Sequence, residues 1–222
     1  MPEDIVIGAG VYGVLVAWSL ARRGRRVRVL EARNIASGAS GGPGRRGVRA
    51  NGRDLRELAL MTQAPKVWST LDEDLGAHHF YEQTGHLLLL EREQDLASAY
   101  ARVQMQQSQG IDCRLLAAQD CSRIQPGLTE KASAAIYCKN DGVCDHDGFT
   151  RAVARRAEES GAIIEENAPV ARIEVDDQRV TSVLTSDGRS IDVGGNLFLF
   201  ANGGTAAVVQ SSFGLKLPIW NA

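Results

Sequence analysis

The chain lacks most of the features that assign a protein to a class at a glance. Its four cysteines, Cys113, Cys121, Cys138 and Cys144, include no C-x-x-C pair and no metal-ligand spacing. Neither a metal site nor a disulfide is therefore expected, and free thiols in a reducing cytosol are. No apolar stretch reaches the length of a membrane span. The net charge of −2 makes no general case for nucleic acid or an anionic membrane as partner. A strand-like run begins at Asp4 and leaves no room for a signal peptide, so a cytoplasmic location is expected. There is no internal repeat. What is present is 44% hydrophobic and 23% charged residues over 222 positions, the composition of a globular protein with one large domain or two small ones.

The informative stretch is the first 31 residues. The apolar run Asp4-Ile5-Val6-Ile7 is followed by Gly8-Ala9-Gly10-Val11-Tyr12-Gly13, a helix-like segment, and then Arg26-Val27-Arg28-Val29-Leu30-Glu31. Strand, glycine turn, helix, strand and acid stand in the order of a dinucleotide-binding βαβ unit. Gly8 permits the tight turn, Gly10 lets backbone approach a pyrophosphate, and Gly13 lets the helix pack closely. The helix N-terminus then points free N–H groups and partial positive charge at the phosphates. Glu31, eighteen positions after Gly13, stands where a carboxylate can accept hydrogen bonds from ribose hydroxyls. A glycine turn alone is weak; the complete unit is specific.

Val14, Ala17, Trp18 and Ala21 predict a helix over 11–23, ended by Gly24. The basic cluster Arg22, Arg23, Arg25, Arg26 and Arg28 suits a helix C-terminus, with side chains expected to leave the sheet toward water. Small residues over 37–44 can present backbone N–H groups to an anion. An amphipathic helix is predicted over 53–75, kinked or split by Pro65. The middle reads as short strands at 85–90, 113–116 and 134–137, with helices at 94–109 and 117–124. Asp147 is expected to cap a helix over 148–160. A strand at 162–165 precedes an antiparallel meander at 170–175, 179–185 and 190–193, then a buried strand at 196–201. The expected fold is α/β. A Rossmann-like domain from 1–75 and 147–222 carries a parallel sheet of strands near 4–7, 26–30, 162–165 and 197–201, interrupted by a β-rich insertion over 76–146.

These residues resemble the FAD-dependent amine and amino-acid oxidoreductases of the D-amino-acid oxidase superfamily, which contains glycine oxidase, sarcosine oxidase and amino-acid dehydrogenases. The resemblance rests on Asp4 to Gly13, then Ala17, Leu20-Ala21, Gly24, Val27 and Leu30-Glu31. Ser37 to Gly41 resembles the family's second phosphate-proximal segment, and Gly142 to Phe149 its return into the FAD domain. Pro169-Val170 resembles the strand meeting the adenine, and Phe200-Ala201-Asn202-Gly203 the late Ala-x-Gly turn, with Asn202 where a small residue is commoner. To Gly8, Gly10, Gly13 and Glu31 the resemblance adds Ala9, Val11, Tyr12, Ala32, Ser40, Gly41, Arg45, Val170, Ala201 and Gly203 as FAD contacts. It implies hydride transfer to flavin from a carbon next to nitrogen of a small amine or amino acid, and makes residues 76–146 a partial substrate domain. Family members continue past the segment like Leu215 to Ile219. The chain is therefore expected to be truncated, or one piece of a split enzyme completed by a partner chain, and to be a poor catalyst alone. No catalytic residue is assigned, because substrate contacts in the family come largely from sequence beyond residue 222.

Alternatives stand beside these expectations. A cofactor-binding subunit without activity of its own is one, and a nicotinamide-dependent dehydrogenase another. FAD is favoured by the 37–44 segment and the late meander. NADP is disfavoured because Glu31 would repel a 2′-phosphate, although Arg33 could shield it. Arg45 and Arg46 either reach the pyrophosphate or flavin edge, or are solvated loop arginines. His78, His79, His86 and His146 have no partner fixed by spacing, and each reads as an ordinary loop or strand histidine.

Overall fold

The computed structural model describes residues 1–38, 44–76, 80–128 and 131–219. Its elements in chain order are β1 (Glu3–Ile7), α1 (Val11–Ala21), β2 (Arg26–Leu30), β3 (Arg45–Val48), α2 (Leu55–Met61), α3 (Ala64–Leu75), β4 (Tyr81–Glu82), β5 (His86–Leu90), α4 (Leu96–Ser108), β6 (Cys113–Ala117), α5 (Ala118–Ile124), β7 (Ala134–Cys138), β8 (Gly142–Asp145), α6 (His146–Glu159), β9 (Ile163–Glu165), β10 (Val170–Asp176), β11 (Arg179–Thr185), β12 (Ser190–Asp192), β13 (Leu197–Leu199) and α7 (Thr205–Phe213). They form two compact units, Met1–Gly44 with His146–Ala222, and Arg45–Asp145. No helix among the described residues is long and apolar enough to cross a membrane.

The first unit is built on a parallel sheet of order β13-β1-β2-β9, the four strands expected from the sequence. Ile5, Val6 and Ile7 of its central strand are all buried, as a parallel strand covered on both faces requires. The two-residue alternation sends Ile5 and Ile7 into one core and Val6 toward α1. The first core joins them to Leu30 of β2 and to Ala168, Ile173, Val183, Val193 and Val208, from the antiparallel sheet β10-β11-β12, α7 and their connections. α1 and α6 are in contact, and the small buried residues Ala17 and Ala21, with Ala152 and Ala157, suit their close approach.

Asp4 is fully buried at the start of this sheet. Its carboxylate accepts from Arg25 Nε and Nη2 at 2.5 Å each, from the Asn196 main-chain N–H at 2.7 Å and from Asn196 Nδ2 at 3.1 Å. Burial alone would push the Asp4 carboxyl up, but the Arg25 guanidinium and Asn196 outweigh it and hold it below the usual value. The basic cluster thus departs from the solvated reading. Arg25 clamps Asp4, and Arg28 is paired with both Glu3 and Glu165. Asp147 also differs from its expected capping role: α6 begins at His146, so Asp147 lies in the first turn and pairs with Arg151, 3.0 Å away.

The second unit holds two three-stranded antiparallel sheets, β3-β8-β4 and β5-β7-β6. The helical pattern over 53–75 resolves into α2 and α3, with Pro65 in the first turn of α3, where its missing N–H costs nothing. Residues 45–75 pack within this compact unit. β3 pairs with β8 across about a hundred residues of sequence, and Leu58 of α2 joins Val103, Ile136 and Cys138 in one core. Such long-range pairing leaves no local mark.

Candidate functional site

The turn from β1 into α1 shows what each glycine does. Gly8 has φ of +101°, and a Cβ there would stand 2.5 Å from the Phe200 carbonyl oxygen. A Cβ on Gly13 would lie 1.8 Å from the Gly8 carbonyl oxygen, against 3.5 Å from Val6 Cγ1. Gly13 is therefore demanded by the turn's own backbone more than by the sheet. Gly10 differs: a Cβ there would meet no protein atom within 4 Å. The fold does not need a glycine at position 10, and the space beside it is open.

That space faces the start of α1. Gly10 is the N-cap and supplies no side-chain hydrogen bond, and no acidic residue stands in the first turn. The intrahelical ladder begins with Val14 N–H donating to Gly10 O at 3.1 Å. The N–H groups of Val11, Tyr12 and Gly13 precede it and have no intrahelical acceptor. An uncapped first turn with partial positive charge and free donors suits an anion.

Glu31 braces the turn. Its Oε2 accepts from Ala9 N–H at 2.7 Å and its Oε1 from Arg33 N–H at 2.9 Å, so the carboxylate already holds main chain, and each oxygen keeps lone-pair capacity for a further donor. Ala32, next along, is exposed. The loop after it is tied back on three sides. Ala36 N–H donates to Ala9 O at 3.2 Å, Asn167 N–H to Arg33 O at 2.9 Å, and Ile35 N–H to Glu166 Oε1 at 2.6 Å. Glu166 escaped the sequence reading because a carboxylate after a short strand carries no motif.

Ala201 leads into a 3-10 turn, Asn202–Gly204, beside the same glycine turn, since the Phe200–Ala201 backbone closes on Gly8. Asn202 takes φ of +49°, a left-handed conformation that Asn tolerates better than most side chains. Gly203 is exposed in this turn. Val170 opens β10 and packs on the core containing Ile7 and Leu30. Tyr12 stacks on Phe200 at 6.3 Å, and Phe200 on Phe198 at 6.4 Å.

The first unit thus brings together Gly8, Ala9, Gly10, Val11, Tyr12, Gly13, Glu31, Ala32, Ala201 and Gly203 around the C-terminal ends of β1, β2 and β13. Ser40, Gly41, His78 and His79 lie outside the described residues. Arg45 belongs to the second unit, on β3 rather than in a loop, with its guanidinium bonded to Glu82. Arg46 Nη2 is buried with no hydrogen-bond partner. His86 Nδ1 accepts from Asn51 Nδ2 at 3.2 Å, and burial pushes this imidazole below its ordinary value of 6.5. His146 stands at the start of α6, its carbonyl accepting from Thr150 Oγ1 at 2.7 Å. All four cysteines are free and buried.

Comparison with known proteins gives a consistent result. Residues 5–220 match the profile of a family described as FAD dependent oxidoreductase. Sarcosine oxidase subunit beta from Arthrobacter sp is 26% identical over 98% of this chain and 55% of its own length. D-amino acid dehydrogenase from Rhizorhabdus wittichii is 25% identical over 97% of this chain and 64% of its own length. Among solved structures, L-proline dehydrogenase from P. horikoshii aligns with a TM-score of 0.83 and 28% identity, covering 95% of this chain and 55% of that one. The chain therefore spans little more than half the length of relatives it matches almost end to end.

Proposed function

From the premise that the chain belongs to the family of FAD dependent oxidoreductases, we propose that it holds FAD in an enzyme that oxidises a C–N bond of an amine or amino acid. The nicotinamide-dependent alternative falls with that membership. The observation that carries the cofactor's placement is the pairing of an uncapped, acid-free first turn of α1 with open space at Gly10. A pyrophosphate beside Gly10 takes the free N–H groups of Val11, Tyr12 and Gly13. Glu31, already locked by Ala9 and Arg33, offers its remaining lone pairs to ribose hydroxyls without having to be ordered first. In this reading Ala32 and Val170 lie toward the adenine, and Ser40, Gly41, Ala201 and Gly203 along the rest of the cofactor. Arg45 lies on the second unit, bonded to Glu82, and has no part in this reading.

When bound, FAD supplies a hydride acceptor for the carbon next to the substrate nitrogen, and the chain's residues supply binding and orientation. The substrate class rests on the relatives, two of which are named for sarcosine and D-amino acids. A second reading makes the chain a cofactor-binding subunit of an assembly, supported by a relative that is itself named as a subunit.

The test is an FAD titration of the 222-residue chain, followed by flavin fluorescence, beside Gly10→Val. The wild type is expected to bind, and the variant to bind at least tenfold more weakly with an unchanged unfolding midpoint, because the added methyl groups fill ligand space. Equal affinity of the two proteins would put the pyrophosphate elsewhere. Anaerobic addition of amines and amino acids to the FAD-loaded chain then separates the two readings. Bleaching of the yellow colour means the chain acts alone, and persistence of the colour favours the subunit.

A further inference from the structure

Two thiols of the second unit face each other. Cys113 opens β6, Cys138 closes β7, and the antiparallel register sets them directly opposite. Both are buried, and both are free. β6 is an edge strand, and the Cys113 carbonyl oxygen accepts from Gln107 Nε2 at 2.8 Å. Directly opposite residues of an antiparallel pair have Cα atoms about 4.5–5.5 Å apart, whichever rung of the ladder they occupy. A disulfide spans Cα separations of roughly 4.4–6.8 Å. The sulfurs' other neighbours are mild: Cys113 Sγ donates to Val103 O at 3.7 Å, and Gln106 Nε2 approaches Cys138 Sγ at 3.7 Å. Cys121 on α5 and Cys144 on β8 share no such register with another cysteine.

We propose that Cys113 and Cys138 form a cross-strand disulfide site, closed by hydrogen peroxide. The Cys113 thiolate attacks a peroxide oxygen and breaks the O–O bond, leaving a sulfenic acid and a hydroxide that takes the Cys113 proton as water. The Cys138 sulfur then attacks the Cys113 sulfur, the S–O bond breaks, and the departing hydroxide takes the Cys138 proton as a second water. Two thiols are oxidised to one disulfide while one peroxide is reduced to two waters. The first attack falls to Cys113 for two reasons. Burial pushes the Cys138 thiol up, disfavouring its thiolate. Cys113 follows the turn at Gln109 and Gly110 and begins an edge strand, where a ladder opens most cheaply.

The native chain is treated with hydrogen peroxide, quenched, alkylated under denaturing conditions and mapped by mass spectrometry. Titratable thiols are expected to fall from four to two, with one reducible cross-link joining the Cys113 and Cys138 peptides. Cys121→Ser/Cys144→Ser should form the same link, and Cys113→Ser/Cys138→Ser should keep its remaining thiols. In Cys138→Ser the reaction should stop at a sulfenic acid on Cys113, trapped by a cyclic 1,3-diketone. Retention of all four thiols, a link between any other pair, or oxidation to sulfinic acid without a cross-link would overturn the assignment.

Discussion

In the first unit the buried carboxylate of Asp4 is met by a guanidinium and two N–H groups from one asparagine. In the second, the buried carboxylate of Asp141 faces the main-chain N–H groups of Ala50 and Asn51 at 2.8 and 3.0 Å. Around it lies a web of neutral amides. Asn51 donates to Ile136 O at 2.8 Å and to His86, while its Oδ1 is buried without a partner. Gln106, fully buried, accepts from Gly52 N–H at 3.2 Å. One unit neutralises its buried charge with an opposite charge; the other dissolves it in hydrogen bonds that include a histidine. A charge-matched pair withstands pH until the carboxylate itself titrates, whereas an amide web is exposed through its weakest base.

The largest effect that tests this contrast lies outside both networks. Gly13→Ala puts a methyl group on the Gly8 carbonyl and should cost the first unit about 3 kcal/mol or more, read as a lowered urea midpoint of Trp18 fluorescence with Trp68 unchanged. A coincident loss at both tryptophans would mean the units do not unfold separately. Asp4→Ala comes next. It leaves the Asn196 main-chain N–H and Nδ2 without their acceptor, while the part-exposed Arg25 turns to water, and should cost about 2–3 kcal/mol in the same Trp18 assay. The folded Asp4 value lies below the ordinary 3.8, so its stabilisation is present above that pH and is lost as pH falls through the lowered folded value. An Asp4→Asn protein should therefore show a flatter acid limb.

Asp141→Asn should cost about 2 kcal/mol by leaving one main-chain N–H without its acceptor, now reported by Trp68. The smallest effect is the most diagnostic. His86 is held below 6.5 by burial, against the opposing pull of Asp141 and with the help of Arg49. The unfolded chain takes up the proton first, so stability of the second unit should decline as pH drops below 6.5, well before Asp4 responds. Variants keeping only Trp18 or only Trp68 separate the two pH windows, and identical acid limbs would refute the contrast.

Legibility differed along the same division. β1, α1 and β2 were readable because their signals are local: an apolar strand, a glycine turn, and helical spacing between them. The split at Pro65 was readable for the same reason. β3 was not. Arg45 to Val48 has no strand-like composition, and it becomes a strand because β8 lies beside it. α7 went unread because its alanines and serines have little amphipathic pattern, and Asp147 was misread because capping and first-turn acids look alike in sequence. At the site, glycine spacing identified the turn, but it could not separate Gly13, fixed by sterics, from Gly10, free of them. The braces supplied by Glu31 and Glu166 were invisible as braces, since a carboxylate's choice between main chain and ligand is made in three dimensions.

The pairing of Ile5 with Leu197 has a consequence in time. A ribosome adds about 5–20 residues per second, so roughly 10–40 s pass between the synthesis of β1 and that of the strand on its far side. Once Arg25 has been made, Asp4 has its guanidinium but still lacks Asn196, and one edge of the central strand is bare. Residues 45–145, the whole second unit, emerge meanwhile. The inserted unit can therefore finish folding while its host is still incomplete, and a nascent chain paused before residue 196 would carry a closed insertion on an open sheet, the species on which a chaperone would act.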